Sequence, residues 1–115
     1  MNTLNRASLV LITALAAIGG TAYGQVPGTN DTSDASNNTG SGTGTLSSLG
    51  TGTDNTAIGK DALFSNTGGF YNTAAGTSAL AGNTFGYSNS ASGYQALYSN
   101  TVGNYNTASG DSALY

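Results

Sequence analysis

Hydrophobic and polar positions recur every 17 residues from Asn55 to the end of the chain. The three complete units are 55–71, 72–88 and 89–105, and a partial unit covers 106–115. They share the pattern N-[TS]-A-x-G-x-x-A-L-x-x-N-T-x-G-x-x without an insertion or deletion. Such regularity identifies a repeat protein in which each unit stacks on its neighbour.

The residue types within each unit favour extended segments and turns over a helix. Each complete unit contains at least two glycines and two or three asparagines, which disfavour an α-helix. Helical repeats also run longer, usually above roughly 30 residues per unit. We therefore predict a strand at N-T-A-x-G, a second extended segment at A-L-x, and turns at G-x-x and N-T-x-G. The predicted fold is an all-β solenoid.

Stacking places each position of the unit above its counterpart, so equivalent residues form columns. Leucine is the only large apolar residue present in every unit, which makes it the predicted core column, with small alanines beside it. The asparagine that opens each unit is predicted to form a hydrogen-bonded ladder. The core columns are Leu63, Leu80, Leu97 and Leu114 and Ala57, Ala74, Ala91 and Ala108, and the ladder is Asn55, Asn72, Asn89 and Asn106.

A single leucine per coil makes a thin core. Its burial contributes about 1.5–3 kcal/mol, whereas ordering the backbone costs about 1–2 kcal/mol for every residue of the coil. This imbalance predicts that the coils bury more surface by assembling with copies of the same chain.

The segment before the repeats divides into two parts. Residues 1–24 have the order of a secretory signal peptide: a positive charge, an apolar stretch at 9–17 and small residues before a cleavage site between Gly24 and Gln25. The apolar stretch is too short for a membrane anchor. Residues 25–54 are rich in Gly, Ser, Thr, Asn and Asp, and are predicted to be a flexible linker.

The end of this linker is not sharply marked. Leu46 and Leu49 are its large apolar residues close to the repeats, and they are candidates to pack onto the first coil as a cap. The signal peptide predicts export, so we expect the mature chain at the cell surface, in the outer membrane or outside the cell.

The core A-x-G-x-x-A-L, seen as AIGKDAL (57–63) and ASGYQAL (91–97), resembles the head repeats of trimeric autotransporter adhesins of the YadA-like type. The phrase ALYSNTVGNYNTASG (96–110) is similar to the N-T-A-x-G-x-x-A-L variant of those repeats. The resemblance covers 55–115 and implies a left-handed parallel β-roll, with three chains wound into one head. It also implies adhesion to host matrix, to cells or to glycans, a function associated with virulence.

The same resemblance implies that the leucine column faces either the interior of the roll or the trimer axis. The family's neck, coiled-coil stalk and membrane-anchoring barrel have no counterpart in the sequence, and the chain stops at Tyr115, midway through a repeat. We therefore interpret the chain as a fragment of a head, and expect no membrane insertion by this fragment.

Composition argues against catalysis and against nucleic-acid binding. The sequence has no His and no Cys, so the usual general base, thiol nucleophile and soft metal ligands are missing. Acidic residues do not recur in one column, as calcium-binding coils require. We expect no enzymatic activity, cofactor or metal. Without its signal peptide the chain carries a net charge of 1 − 5 = −4, which cannot neutralise a row of phosphates.

The aromatic residues lie in the variable columns of the repeats. They suggest either an outward face that binds sugars or protein, or rings that cover coil edges and fill a trimer seam. The function that we predict is a non-enzymatic cell-surface adhesin head; a structural spacer or fibre without a ligand, and a carbohydrate-binding module, are the alternatives. Candidate ligand or trimer contacts are Tyr71, Tyr87, Tyr94, Tyr98 and Tyr105.

Export gives a direct test of the first 24 residues. We expect the protein recovered outside a bacterial host cell to begin at Gln25, because small residues occupy the two positions that signal peptidase reads. Intact mass spectrometry measures this. As a control, Ala22→Lys removes one of those small residues and should leave the chain uncleaved. An exported wild-type chain that retains Met1 would contradict the prediction.

Overall fold

Each coil of the molecule contains one short strand. We describe residues 34–115 of a computed structural model. The predicted signal peptide and the cleavage site between Gly24 and Gln25 lie outside the described residues. The strands form one parallel sheet in the order β1-β2-β3-β4-β5. They are β1 (Thr39–Ser41), β2 (Thr56–Ile58), β3 (Thr73–Ala75), β4 (Ser90–Ser92) and β5 (Thr107–Ser109).

The strands pair in a register that advances by one repeat from strand to strand. Ala57 of β2 pairs with Ala74 of β3, which pairs with Ala91 of β4, always 17 residues on. The predicted all-β solenoid is therefore confirmed as a parallel stack with four complete coils and a partial fifth. No helix occurs among residues 34–115, and so none that could cross a membrane.

The solenoid begins one coil earlier than the sequence pattern predicted. Residues 38–54, assigned to the flexible linker, form the first complete coil, and β1 pairs with β2. Asn38 and Leu46 occupy the asparagine and leucine columns and are 1% and 4% exposed. Gly40 and Thr45 stand where later coils have alanine, so small residues still fit the interior. The prediction of a linker was wrong for these residues because it relied on their Gly, Ser and Thr content and not on the 17-residue spacing of Asn38 and Leu46.

The predicted second extended segment is a turn. Leu63, Leu80 and Leu97 have φ of 50°, 51° and 52°, in the left-handed region that a leucine seldom adopts. This conformation costs about 1–2 kcal/mol per residue, and burying the leucine side chain offsets it with about 1.5–3 kcal/mol. The turn is also held between coils, since the amide of Leu63 donates to the carbonyl of Ala79 at 3.0 Å.

The core lies inside a single chain. Leu63 and Leu80 are fully buried between the column that begins at Ala57 and a second alanine column, so the leucines face the roll interior and not a trimer axis. The second column is Ala62, Ala79 and Ala96. Leu114 belongs to the leucine column but is 64% exposed, because it lies in the partial coil 106–115, the last one described. The remaining predicted core residues, Leu97, Ala57, Ala74, Ala91 and Ala108, are all buried.

Buried asparagine side chains form a continuous ladder through the coils. The backbone amide and the Nδ2 of Asn72 donate to Asn55 Oδ1 at 3.0 and 3.1 Å, and its Nδ2 also donates to the Gly86 carbonyl at 2.8 Å. In the next coil, Asn89 donates in the same way to Asn72 Oδ1. Asn55, Asn72 and Asn89 therefore each use both side-chain donor hydrogens and accept two bonds.

A second ladder, formed by Asn66, Asn83 and Asn100, runs beside the first. Asn83 Nδ2 donates to Asn66 Oδ1 at 2.9 Å and to the Gly86 carbonyl at 3.0 Å. Gly86 thus accepts from both ladders, and a Cβ at this glycine would collide with Asn83 Oδ1 and the Gly103 carbonyl. Within residues 34–115 no buried side-chain nitrogen or oxygen lacks a hydrogen-bond partner.

The first ladder begins at a carboxylate. Asp34 Oδ1 accepts from the backbone amide of Asn38 at 3.2 Å and from its Nδ2 at 3.1 Å, as an asparagine of a preceding coil would. A further bond comes from the amide of Ser36 at 2.8 Å. Burial tends to raise the pKa of Asp34, but these hydrogen bonds from Asn38 and Ser36 outweigh it and lower the pKa below its usual value. Asp34 therefore caps the ladder in its charged form.

Replacing one rung tests the ladder. Asn72→Ala removes the acceptor for the buried amide and Nδ2 of Asn89, and it takes away one of the two hydrogen bonds that Asn55 Oδ1 and the Gly86 carbonyl each accept. With two buried donors left unpaired, we expect a loss of at least about 2 kcal/mol in the free energy of unfolding. Urea denaturation followed by circular dichroism measures it. The control Ser92→Ala, at an exposed strand position, should change stability by less than about 0.5 kcal/mol. Equal losses in the two variants would contradict the ladder.

Acid should weaken the cap at Asp34. Because its pKa is lower in the folded chain, its stabilising effect is present above the unfolded pKa of about 4 and is lost as the pH falls through the folded value. We expect Asp34→Ala to unfold at lower temperature than the wild type at pH 7, and the difference to vanish in strong acid. A difference that does not change with pH would show that the carboxylate charge has no role.

Candidate functional site

Outward positions of the coil differ from repeat to repeat, whereas inward positions are nearly constant. In every strand the middle residue is buried and its neighbours are half-buried or exposed. The residues before it are all Thr or Ser, and those after it are Ser, Ile or Ala. Any specific surface must therefore come from the outward columns, and most of the aromatic side chains in these columns form two groups.

The first group, the aromatic edge, consists of Phe70, Tyr71, Tyr87 and Tyr105. Phe70 and Tyr87 stack face to face, with ring centroids 4.8 Å apart and planes 2° apart. Tyr87 meets Tyr105 edge-on at 5.2 Å, and Phe70 meets Tyr71 edge-on at 5.4 Å. Both geometries are favourable for aromatic pairs. Tyr71 and Tyr105 remain 61% and 75% exposed, so the edge offers rigid contact area to a partner.

Tyr105 also influences the ionisation of Tyr87. A hydrogen bond and the charge of Tyr105 raise the pKa of Tyr87 above its ordinary value, with a small addition from burial. The amide of Tyr87 is held by Asn104 Oδ1 at 2.9 Å. Tyr87 is thus fixed in place and neutral at physiological pH, and its hydroxyl is suited to hydrogen bonding.

The second group borders an open groove of about 590 Å³. Phe64 and Tyr98 occupy the same position of the coil two repeats apart, and Ala81 lies between them. Tyr98 also stacks on Tyr115 of the following coil, with centroids 5.1 Å apart and planes 4° apart. The groove has a polar border of one carboxylate and several hydroxyls. Its lining is Asp61, Phe64, Ser65, Ser78, Ala81, Gly82, Tyr98, Ser99 and Thr101.

The structure separates the five tyrosines that the sequence singled out. Tyr71, Tyr87 and Tyr105 meet at the aromatic edge, and Tyr98 lines the groove. Tyr94 is half exposed, has no ring contact within residues 34–115 and belongs to neither group.

Three rings outside the predicted set complete these groups: Phe70 at the edge, and Phe64 and Tyr115 near the groove. Aligning the repeats could have found them, because residues 17 apart become neighbours. Phe70 aligns with Tyr87, and Tyr98 aligns with Tyr115. The sequence therefore shows which rings are aligned, but only the distance between successive coils shows that they are in contact.

Charged groups contribute little to either surface. Lys60 Nζ lies 3.8 Å from Asp61 Oδ2, but the lysine side chain is 66% exposed, so the pair adds little stability. In the described part of the chain, His, Cys, Asp and Glu do not gather in groups of three or more that could hold a metal ion.

Comparison with protein-family models, with curated proteins and with solved structures finds no match to this chain. Its function must therefore be argued from its own surface.

Proposed function

We propose that this chain is a non-enzymatic, exported adhesive module that presents aromatic groups on a stiff β-solenoid at the cell surface, as a YadA-like head does. The observation that carries the proposal is the aromatic edge. Four rings lie in contact with one another, and Tyr71 and Tyr105 are more than half exposed. Tyrosine provides large, rigid contact area at low entropic cost, together with a hydroxyl that can hydrogen-bond.

The scaffold suits this role because its interior is independent of its outward residues. Ladders and core columns hold the coils in register whatever the outer columns contain. Successive coils lie about 4.8 Å apart, so neighbouring rings are offered at a fixed spacing. Repetition along the stack also favours binding to repetitive ligands such as matrix fibres or glycan chains, in which several weak contacts act together.

Assembly into a homotrimer belongs to the same proposal. Exposed apolar side chains lie on several sides of the coil, among them Ile58, Phe85 and Val102 at 52%, 63% and 61% exposure. Contact between copies would remove this surface from water. The single-chain core and its ladders make a trimer less necessary for folding than one leucine per coil suggested. Sedimentation of three chains together would support the trimer, and a monomer at all concentrations would exclude it.

A structural spacer is the second candidate. It is favoured by the regular hydroxyl-bearing face of the sheet, where Thr39, Thr56, Thr73, Ser90 and Thr107 repeat from coil to coil without a distinctive site. A spacer needs length and stiffness but no ligand, so it predicts that outward residues can be exchanged without functional loss.

Binding assays separate the two candidates. We expect the purified chain, immobilised on a sensor, to bind at least one matrix protein among collagen, fibronectin and laminin, or a glycan on an array. Replacing Tyr87 and Tyr105 together with serine should weaken binding to the matrix protein at least about tenfold, since tyrosines are frequent hot spots.

The control is Thr39→Ala, which changes an exposed residue of the first coil, where no residue of the aromatic edge lies, and should leave binding unchanged. Circular dichroism of all variants must show the same folded signal. A folded chain that binds none of the matrix proteins and no glycan would contradict the adhesive proposal and support the spacer.

A further inference from the structure

The groove beside Ala81 is a gap in an otherwise stackable column of rings. Phe64, Ala81, Tyr98 and Tyr115 occupy one position in four successive coils. Backbone bonds keep these coils in register, since the amide of Ser65 donates to the Ala81 carbonyl at 3.0 Å. Tyr98 and Tyr115 show that rings in this column stack in parallel about one coil apart. Ala81 supplies only a methyl group, so one rung of the stack is missing.

The size of the gap follows from the coil spacing. Phe64 and Tyr98 are two coils apart, which is about 9.6 Å at a strand separation of about 4.8 Å. A ring inserted midway would lie about 4.8 Å from each wall, close to the 4.8 Å and 5.1 Å between stacked rings elsewhere in this chain. Ala81 forms the floor and is 8% exposed. The gap therefore accepts one six-membered ring edge-first.

The polar border of the groove indicates what kind of ring could bind in the gap. The hydroxyls of Ser65, Ser78 and Ser99 line it and make no hydrogen bond to any other residue of the described range. The Asp61 carboxylate, on the same border, can accept hydrogen bonds. A pyranose ring has weakly positive C–H groups on its faces, which suit the negative faces of aromatic rings, and hydroxyls around its rim. An aromatic side chain would leave most of this border unused.

From this geometry we infer that the groove between Phe64 and Tyr98 binds one neutral hexopyranose residue of a glycan, with the sugar taking the place of the missing ring above Ala81. This deepens the proposed adhesive function and rests on it for the biological setting. The volume of about 590 Å³ lies within the range of small-molecule sites. Acidic sugars are disfavoured because Asp61 is on the border and the chain carries a net charge of −3.

Nuclear magnetic resonance titration of the ¹⁵N-labelled full chain tests the inference. The probes are the methyl glycosides of glucose, galactose, mannose and N-acetylglucosamine. N-acetylneuraminic acid is the acidic-sugar probe, and p-cresol is the aromatic probe. We expect at least one neutral glycoside to cause saturable shifts at Ala81, Gly82 and Ser99, and both of the other probes to bind more weakly.

Two variants locate the site. Ala81→Tyr supplies the missing rung with a residue type this column already carries, so binding should be lost while the circular dichroism spectrum is unchanged. Its control is Ala75→Tyr, which adds the same ring on the sheet face where Ile58 is already tolerated. Tyr98→Ala removes one wall and should weaken binding about tenfold, whereas Tyr105→Ala, at the aromatic edge, should have no effect.

The inference is overturned if no neutral glycoside shifts the groove resonances, if Ala81→Tyr binds as well as the wild type, or if p-cresol binds more tightly than every glycoside. These results are independent of the matrix-protein assays, which test the aromatic edge and not the groove. Binding to matrix proteins without glycoside binding would refute the sugar site and leave the adhesive function in place. Glycoside binding without adhesion to any surface would do the reverse.

Discussion

Buried asparagine amides that hydrogen-bond to the same residue one coil away are the constraint on which this solenoid depends. Asn55, Asn66, Asn72 and Asn83 are completely buried, and an unpaired polar group at such a place would cost about 1–3 kcal/mol. Each amide finds its partners in the neighbouring coil and at a glycine carbonyl such as that of Gly86. A coil of any other length would break several of these bonds at once.

The ladders specify register more strictly than the apolar core does. Leucine and alanine contacts are non-directional and tolerate a small slip, whereas the amide bonds require donor and acceptor within about 3 Å of each other. The ladder also has a direction, since each Oδ1 from Asn38 to Asn89 accepts from the coil that follows. Its first member, Asn38, consequently needs an acceptor before it, and the Asp34 carboxylate fills that position.

The inward residues of the coil are nearly constant and the outward residues vary, and this difference connects the fold to the proposed function. The residues that hold the coils together point inward, so outward columns can change without loss of register. The aromatic edge arises where Phe70 and Tyr87 occupy one such column in successive coils. The groove arises where Ala81 interrupts another. Both surfaces thus result from substitutions at outward positions of the same repeated coil, and no further structural element is needed to form them.

The sequence by itself determined the repeat length, the all-β class and the columns of leucine, alanine and asparagine, because a strict 17-residue period allows few other folds. It also contained the first coil, but with other residues at the alanine positions. Gly40 and Thr45 replace alanine there, and composition alone resembled a linker. Residues 38–54 keep the 17-residue spacing of the asparagine and leucine columns but not the alanines. The predicted start of the solenoid is therefore one coil too late.

Only the tertiary structure decided the features that arise when coils stack: the turn at the leucines, the ring contacts and the groove. The left-handed turn at Leu63 could not be anticipated, because a leucine in isolation avoids that conformation and accepts it here only for burial and an inter-coil hydrogen bond. Neither the ring contacts of Tyr87 nor the groove above Ala81 exists within one repeat. They join residues 17 or 34 positions apart, whose proximity depends on the coil spacing and therefore on the buried amides that set it.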